Sequence, residues 1–159
     1  MNSREITLVQ ETFEKVRPQA NDVARLFYSK LFALDPSLRP LFRSDLTDQG
    51  AKLMQVLGIA VAGLRNLDAL LPVVEELGRR HTRYGVKEEQ YETVGVALMQ
   101  TLEAGLGESF TPEVAGAWQR VYAALSTTMI EAAAAETLPA PSVRSIQRKS
   151  ASGSSPAKA

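Results

Sequence analysis

Apolar residues recur at intervals of three and four along almost the whole chain, and no alternating β-branched run of strand length appears, so the pattern predicts an all-α protein. Ile6, Val9, Phe13 and Val16 form one stripe, closed by Pro18. Val23, Phe27, Leu31 and Leu34 form the next, which stops at Asp35-Pro36, where Asp can cap and Pro can open a short helical turn. Pro40 is expected to interrupt that turn and leave Leu41 and Phe42 on a corner.

Leu53, Val56, Leu57, Ala60 and Leu64 mark a third long helix, with Thr47 or Asp48 as its expected cap. Leu67 to Leu71 reads as a connector, and Pro72 as the first position of a short helix carrying Val74, Leu77 and His81 on one face before Tyr84-Gly85 ends it. Val94, Leu98 and Leu102 define a further helix, stopped by Gly105 and Gly107. Thr111-Pro112-Glu113 is a strong start for the last one, which carries Trp118, Tyr122, Leu125 and Met129 into Ala132 to Ala135.

From Leu138 onward Pro139, Pro141, the serines and Gly153 replace the periodic pattern, so a globular domain over 1–137 and a disordered basic tail over 138–159 are expected. No internal repeat stands out. Acids and bases balance at 18 each in 159 residues, but four bases, Arg144, Arg148, Lys149 and Lys158, follow the last acid, Glu136. The body before them has fourteen bases against eighteen acids, a net charge near −4 that carries no nucleic-acid footprint. Neither a secretory signal nor a membrane span is apparent, which makes the cytoplasm the expected compartment.

Candidate chemistry is sparse, and that narrows it. The chain has one histidine, His81, and no cysteine, so a zinc site of several imidazoles or thiolates cannot be assembled. Haem needs only one axial protein ligand, because the porphyrin supplies four nitrogens. A lone histidine taken by itself is more often an ordinary core or surface residue, and the surrounding residues must decide between the two readings.

Those residues form a long series: Leu26-Phe-Tyr-Ser-Lys-Leu-Phe-Ala-Leu-Asp-Pro36, Pro40-Leu-Phe42, Leu77-Gly-Arg-Arg-His81, Tyr84-Gly-Val86, Tyr91 and Phe110-Thr-Pro112. Over roughly residues 4 to 135 the chain resembles the globins, and within them the single-domain globins of the flavohaemoglobin type, with neuroglobin a more distant relative. The resemblance implies a three-over-three helical sandwich around haem b (iron protoporphyrin IX). His81 would be the proximal iron ligand, with Leu77, Val86 and Val94 lining the porphyrin and Phe42 stacking on it.

On the distal side the same register places Gln49, 32 residues before His81, where many globins carry a histidine, and Leu53 one turn further as the residue crowding the ligand. Tyr28 falls where a phenol would face that ligand. A phenol and an amide both donate hydrogen bonds, so the pair implies tight retention of O2, with CO and NO as further ligands. No second histidine exists to close the iron, so the ferrous state is expected to be five-coordinate. Lys52, Arg80 and Tyr84 are candidates for the haem propionates. Tyr91 matches a tyrosine that, in the flavohaemoglobin type, works with a glutamate on the last helix to polarise the proximal histidine; here Ala133 stands at that place, which counts against peroxidase-like chemistry.

The leading expectation is reversible O2 binding rather than an enzyme activity. Two others stay open. One is oxidation of NO to nitrate, which would need an external reductase because no Gly-rich dinucleotide fingerprint is present. The other is a gas sensor, although no output domain is recognisable.

Overall fold

The computed structural model describes residues 1–42 and 45–137. The tail expected over 138–159 lies outside the described residues. Within them the all-α expectation holds: six α-helices and short 3-10 turns account for nearly all of the described residues. They are α1 (Ser3–Val16), α2 (Ala20–Leu34), α3 (Leu46–Ala62), α4 (Leu67–Arg83), α5 (Glu88–Leu106) and α6 (Pro112–Thr137).

Each boundary has a local cause. Asn2 and Glu5 cap α1 reciprocally, each side chain bonding the other's backbone N–H at 2.9 and 3.0 Å. Pro18 sits in the 3-10 turn Arg17–Gln19 that separates α1 from α2. Asp35 accepts from the Ser37 N–H at 3.1 Å and starts the 3-10 turn Pro36–Leu41. Gly107, at φ 56°, ends α5 in a conformation that glycine adopts without steric cost. Thr111 Oγ1 accepts from the Val114 N–H at 3.2 Å and caps α6 behind Pro112.

Four expectations need correction. Pro40 does not interrupt the corner; the 3-10 turn continues to Leu41 and Phe42 is its cap, donating its N–H to the Arg39 carbonyl at 3.1 Å. The cap of α3 is Asp45 rather than Thr47 or Asp48, and its carboxylate accepts from the Thr47 N–H at 2.7 Å. Gly105 lies inside α5, and only Gly107 stops it. Most consequential, Leu67 to Leu71 is no connector: it is the first turn of a 17-residue α4, and Pro72 lies within that helix. Leu70 explains this, because burying it at 4% exposure requires the helical turn that precedes the proline. The cost is one missing backbone hydrogen bond, near the helix start where Pro72 is exposed.

The core gathers Val9, Phe13, Leu31, Leu64, Val74, Leu102, Trp118 and Val121 into a single cluster. Trp118 donates its indole N–H to Thr12 Oγ1 at 2.9 Å, a buried bond that joins α6 to α1, and the Glu5–Arg120 pair joins the same two helices nearer the surface. The main helix pairs are α4 on α6, α2 on α5, α2 on α3 and α1 on α6. By contrast α3 and α4, consecutive 17-residue helices linked by the three-residue turn Gly63–Arg65, hardly touch. That pairing leaves one face of each turned toward something other than the other helix.

Candidate functional site

His81 lies in the last turn of α4, and its Nδ1 is 2.6 Å from the carbonyl oxygen of Leu77, one turn earlier. A carbonyl can only accept, so Nδ1 carries the ring proton and donates, while Nε2 keeps its lone pair. A neutral imidazole oriented by a backbone carbonyl, with the second nitrogen available, has the tautomer a metal ligand needs. The ring is half-buried, with its centroid 6.1 Å from that of Tyr91 on α5. Beyond the helix, Gly85 at φ 95° turns the chain back, and the Val86 N–H donates to the His81 carbonyl at 2.9 Å. Val86 is thereby held beside the turn that carries His81.

Tyr28, Phe27, Phe32 and Phe42 form an aromatic cluster where α2 meets the corner. The Tyr28 ring meets Phe27 and Phe42 edge-on, each at 5.3 Å, and stacks on Phe32 at 6.0 Å, while Phe32 meets Phe42 at 5.5 Å. Burial pushes the Tyr28 phenol up to about 12, so at neutral pH it keeps its proton and remains a donor. Phe32 was not among the expected site residues, although its place four residues after Tyr28 on one helical face could have brought it in.

Beside Tyr28, α2 and α3 meet at a close helix crossing. A Cβ placed on Gly50 would lie 2.8 Å from the Ala24 Cβ and 3.9 Å from Cε2 of Tyr28. Backbone thus passes close to a small side chain where α3 crosses α2, four residues before Tyr28 and one after Gln49. Gln49 is half-buried in the first turns of α3. Leu53, one turn on, packs at the edge of the same core as Phe42 and Val94. Neither Ala24 nor Gly50 was singled out from sequence, because a small residue in a helix signals nothing until its partner helix is known.

The rim candidates are less uniform. Lys52 and Tyr84 are exposed, Tyr84 at 70%. Arg80 is tied back to its own helix: Glu76 accepts from Arg79 at 3.0 Å and from Arg80 at 3.4 Å, and Arg83 stands 3.5 Å away. The hydrogen bond from Arg79, ahead of the other two guanidinium groups, holds the Glu76 carboxyl below its usual range.

Tyr91 is buried, and among the described residues its hydroxyl is the only buried side-chain polar atom without a hydrogen-bond partner. Burial raises its pKa. Its backbone carbonyl accepts from the Tyr122 hydroxyl at 2.6 Å, and burial, with Tyr91 second, raises the Tyr122 phenol as well. Ala133 on α6 is buried at 8% exposure and brings no acceptor, while Glu131 is exposed.

These features suit a flat prosthetic group with one axial ligand. Among the described residues no three His, Asp or Glu side chains converge to hold a metal directly, so His81 would serve a metal whose other donors come from elsewhere. Helices α3 and α4 stand apart, an aromatic cluster lies on the α2 side, and an unpartnered phenol stands beside the imidazole. The class defined is an all-helical protein that presents a single oriented imidazole. The globin family model matches residues 25–129, from α2 through most of α6, and the chain belongs to the globin family. Globins bind haem and, through it, small gaseous ligands. Among the described residues no helix is long and apolar enough to cross a membrane.

Proposed function

We propose that this globin is a single-domain member of the flavohaemoglobin type, resembling the bacterial protein Hell's Gate globin and, more distantly, neuroglobin, and that it binds O2 reversibly and tightly through haem b. The observation that carries this reading is the bond from His81 Nδ1 to the Leu77 carbonyl, which leaves Nε2 as an oriented lone-pair donor. When bound, the porphyrin iron supplies the coordination position at which O2, CO or NO is held. The rest of the work belongs to the chain's own side chains.

His81 holds the group from the proximal side, where Leu77, Val86 and Val94 are the proposed apolar lining. Tyr28, a neutral phenol within an aromatic cluster, donates to the distal ligand, and Gln49 offers an amide N–H from α3. Leu53 and Phe42 exclude water, which strengthens both hydrogen bonds. Lys52, Arg80 and Tyr84 contribute charge and donors at the rim. Both the phenol and the amide act as hydrogen-bond donors to a held ligand.

Visible spectra of the full chain after haem loading, oxidised, reduced, and reduced with CO, test the reading. A Soret band, with a five-coordinate ferrous spectrum that His81→Ala abolishes, is the expected result. Absence of the band, or an undiminished ferrous spectrum in His81→Ala, would overturn it.

A further inference from the structure

Gly78, three residues before His81, occupies a place where no other residue fits. A Cβ there would lie 2.3 Å from the Met129 carbonyl oxygen, 2.5 Å from its Cα and 2.7 Å from its carbonyl carbon. These are backbone atoms of α6, unable to swing aside as a side-chain tip would. Gly78 is buried in the interior of α4, where alanine would favour the helix by about 1 kcal/mol over glycine. Its backbone is not among the positive-φ glycines, so conformation gives no reason for it. Only the contact with α6 does.

We infer that the approach of Gly78 to Met129 is a fulcrum that sets how far His81 reaches toward the haem, which makes Gly78 a positioning residue for the axial ligand. The inference rests on the haem reading above. Helix α4 packs chiefly on α6 and hardly on α3, so α6 determines where α4 stands. Leu77, Gly78 and His81 share one helical turn, and the Leu77 carbonyl locks the imidazole to that turn at 2.6 Å. A shift of the turn is therefore carried to the ring rather than absorbed by side-chain rotation.

The direction follows from helix geometry. At 3.6 residues per turn His81 projects about 60° around the helix axis from Gly78. Forcing α4 away from α6 draws the imidazole back along its own direction by roughly half the displacement, and slides it sideways by roughly nine-tenths of it. The axial bond should weaken.

Resonance Raman on the haem-loaded, reduced full chain tests this through the iron–histidine stretching band, together with the rate of haem transfer to an acceptor apoprotein. In Gly78→Ala the band should move to lower frequency and haem should leave about fivefold faster or more. Val9→Ala, a cavity in the core on α1, should lower the thermal midpoint without moving the band. Met129→Ala keeps the backbone contact and should also leave the band in place. An unmoved or raised band in Gly78→Ala would overturn the inference. So would a shift in Met129→Ala, which keeps the test decisive even where Gly78→Ala does not fold. A parent chain that takes up no haem would instead overturn the underlying reading, before either variant is compared.

Discussion

Gly50 and Ala24 meet so closely that a single added methyl would bring two Cβ atoms to 2.8 Å, and this crossing fixes the register of α3 on α2 beside Tyr28. Gly50→Ala should therefore cost about 1–3 kcal/mol of stability through overpacking, even though alanine suits a helix better. Urea unfolding of the two full-length chains measures the cost. O2 release from the haem-loaded variant should quicken as α3 is pushed outward. A stability equal to the parent would show that the crossing has slack and does not set the register.

Tyr28→Phe keeps the aromatic packing and removes only the donor. Losing one hydrogen bond worth about 1 kcal/mol should raise the O2 release rate roughly fivefold, as read by stopped flow. The same phenol makes stability depend on alkaline pH. Its folded-state pKa is raised by burial to about 12 from the ordinary phenol value near 10, so its stabilisation is complete below pH 10 and is lost as pH rises toward 12. The loss should reach the order of 2 kcal/mol in chemical denaturation and should be shallower in Tyr28→Phe. Burial shifts Tyr91 and Tyr122 the same way, so some decline should remain.

At Tyr91 the hydroxyl is buried without a partner among the described residues, a condition that costs about 1–3 kcal/mol. Tyr91→Phe should raise the urea midpoint of the chain before haem loading, since the ring stays and the unmet polar atom goes. A fall in the midpoint would mean that the hydroxyl has a partner in solution.

Pro72 offers a direct choice between the pattern in the sequence and the folded helix. Placed at the first position of a helix, proline is stabilising, and its replacement would cost stability. Within α4, where it lies, Pro72→Ala restores a backbone hydrogen bond and should raise stability on the order of 1 kcal/mol, seen as a higher thermal midpoint, after the entropy gained by the unfolded chain is set against it. Differential scanning calorimetry distinguishes the two signs.

The helical periodicity was legible because each stripe is a local property: Ile6 to Val16 or Val23 to Leu34 needs no knowledge of its partner to be read as amphipathic. The single histidine was equally legible, since counting residue types excludes multi-histidine sites before any geometry is known. Boundaries were less so. Asp45, two residues before Thr47, takes the cap through a local bond to the Thr47 N–H, one of several cap candidates that the local pattern does not rank, whereas Leu70 drew the start of α4 back past Pro72 because its burial outweighed the local signal.

What the residues determined by themselves is the all-α character, the order of the helices and the lone imidazole, each dictated by periodicity or by count. Tertiary structure alone decided which helices touch. It brought backbone to within a methyl of contact at Gly50 and Gly78, set α3 and α4 apart, and left the Tyr91 hydroxyl without a partner. Those are properties of surfaces meeting across long stretches of chain, and a glycine announces such a meeting only once the opposing backbone is in place.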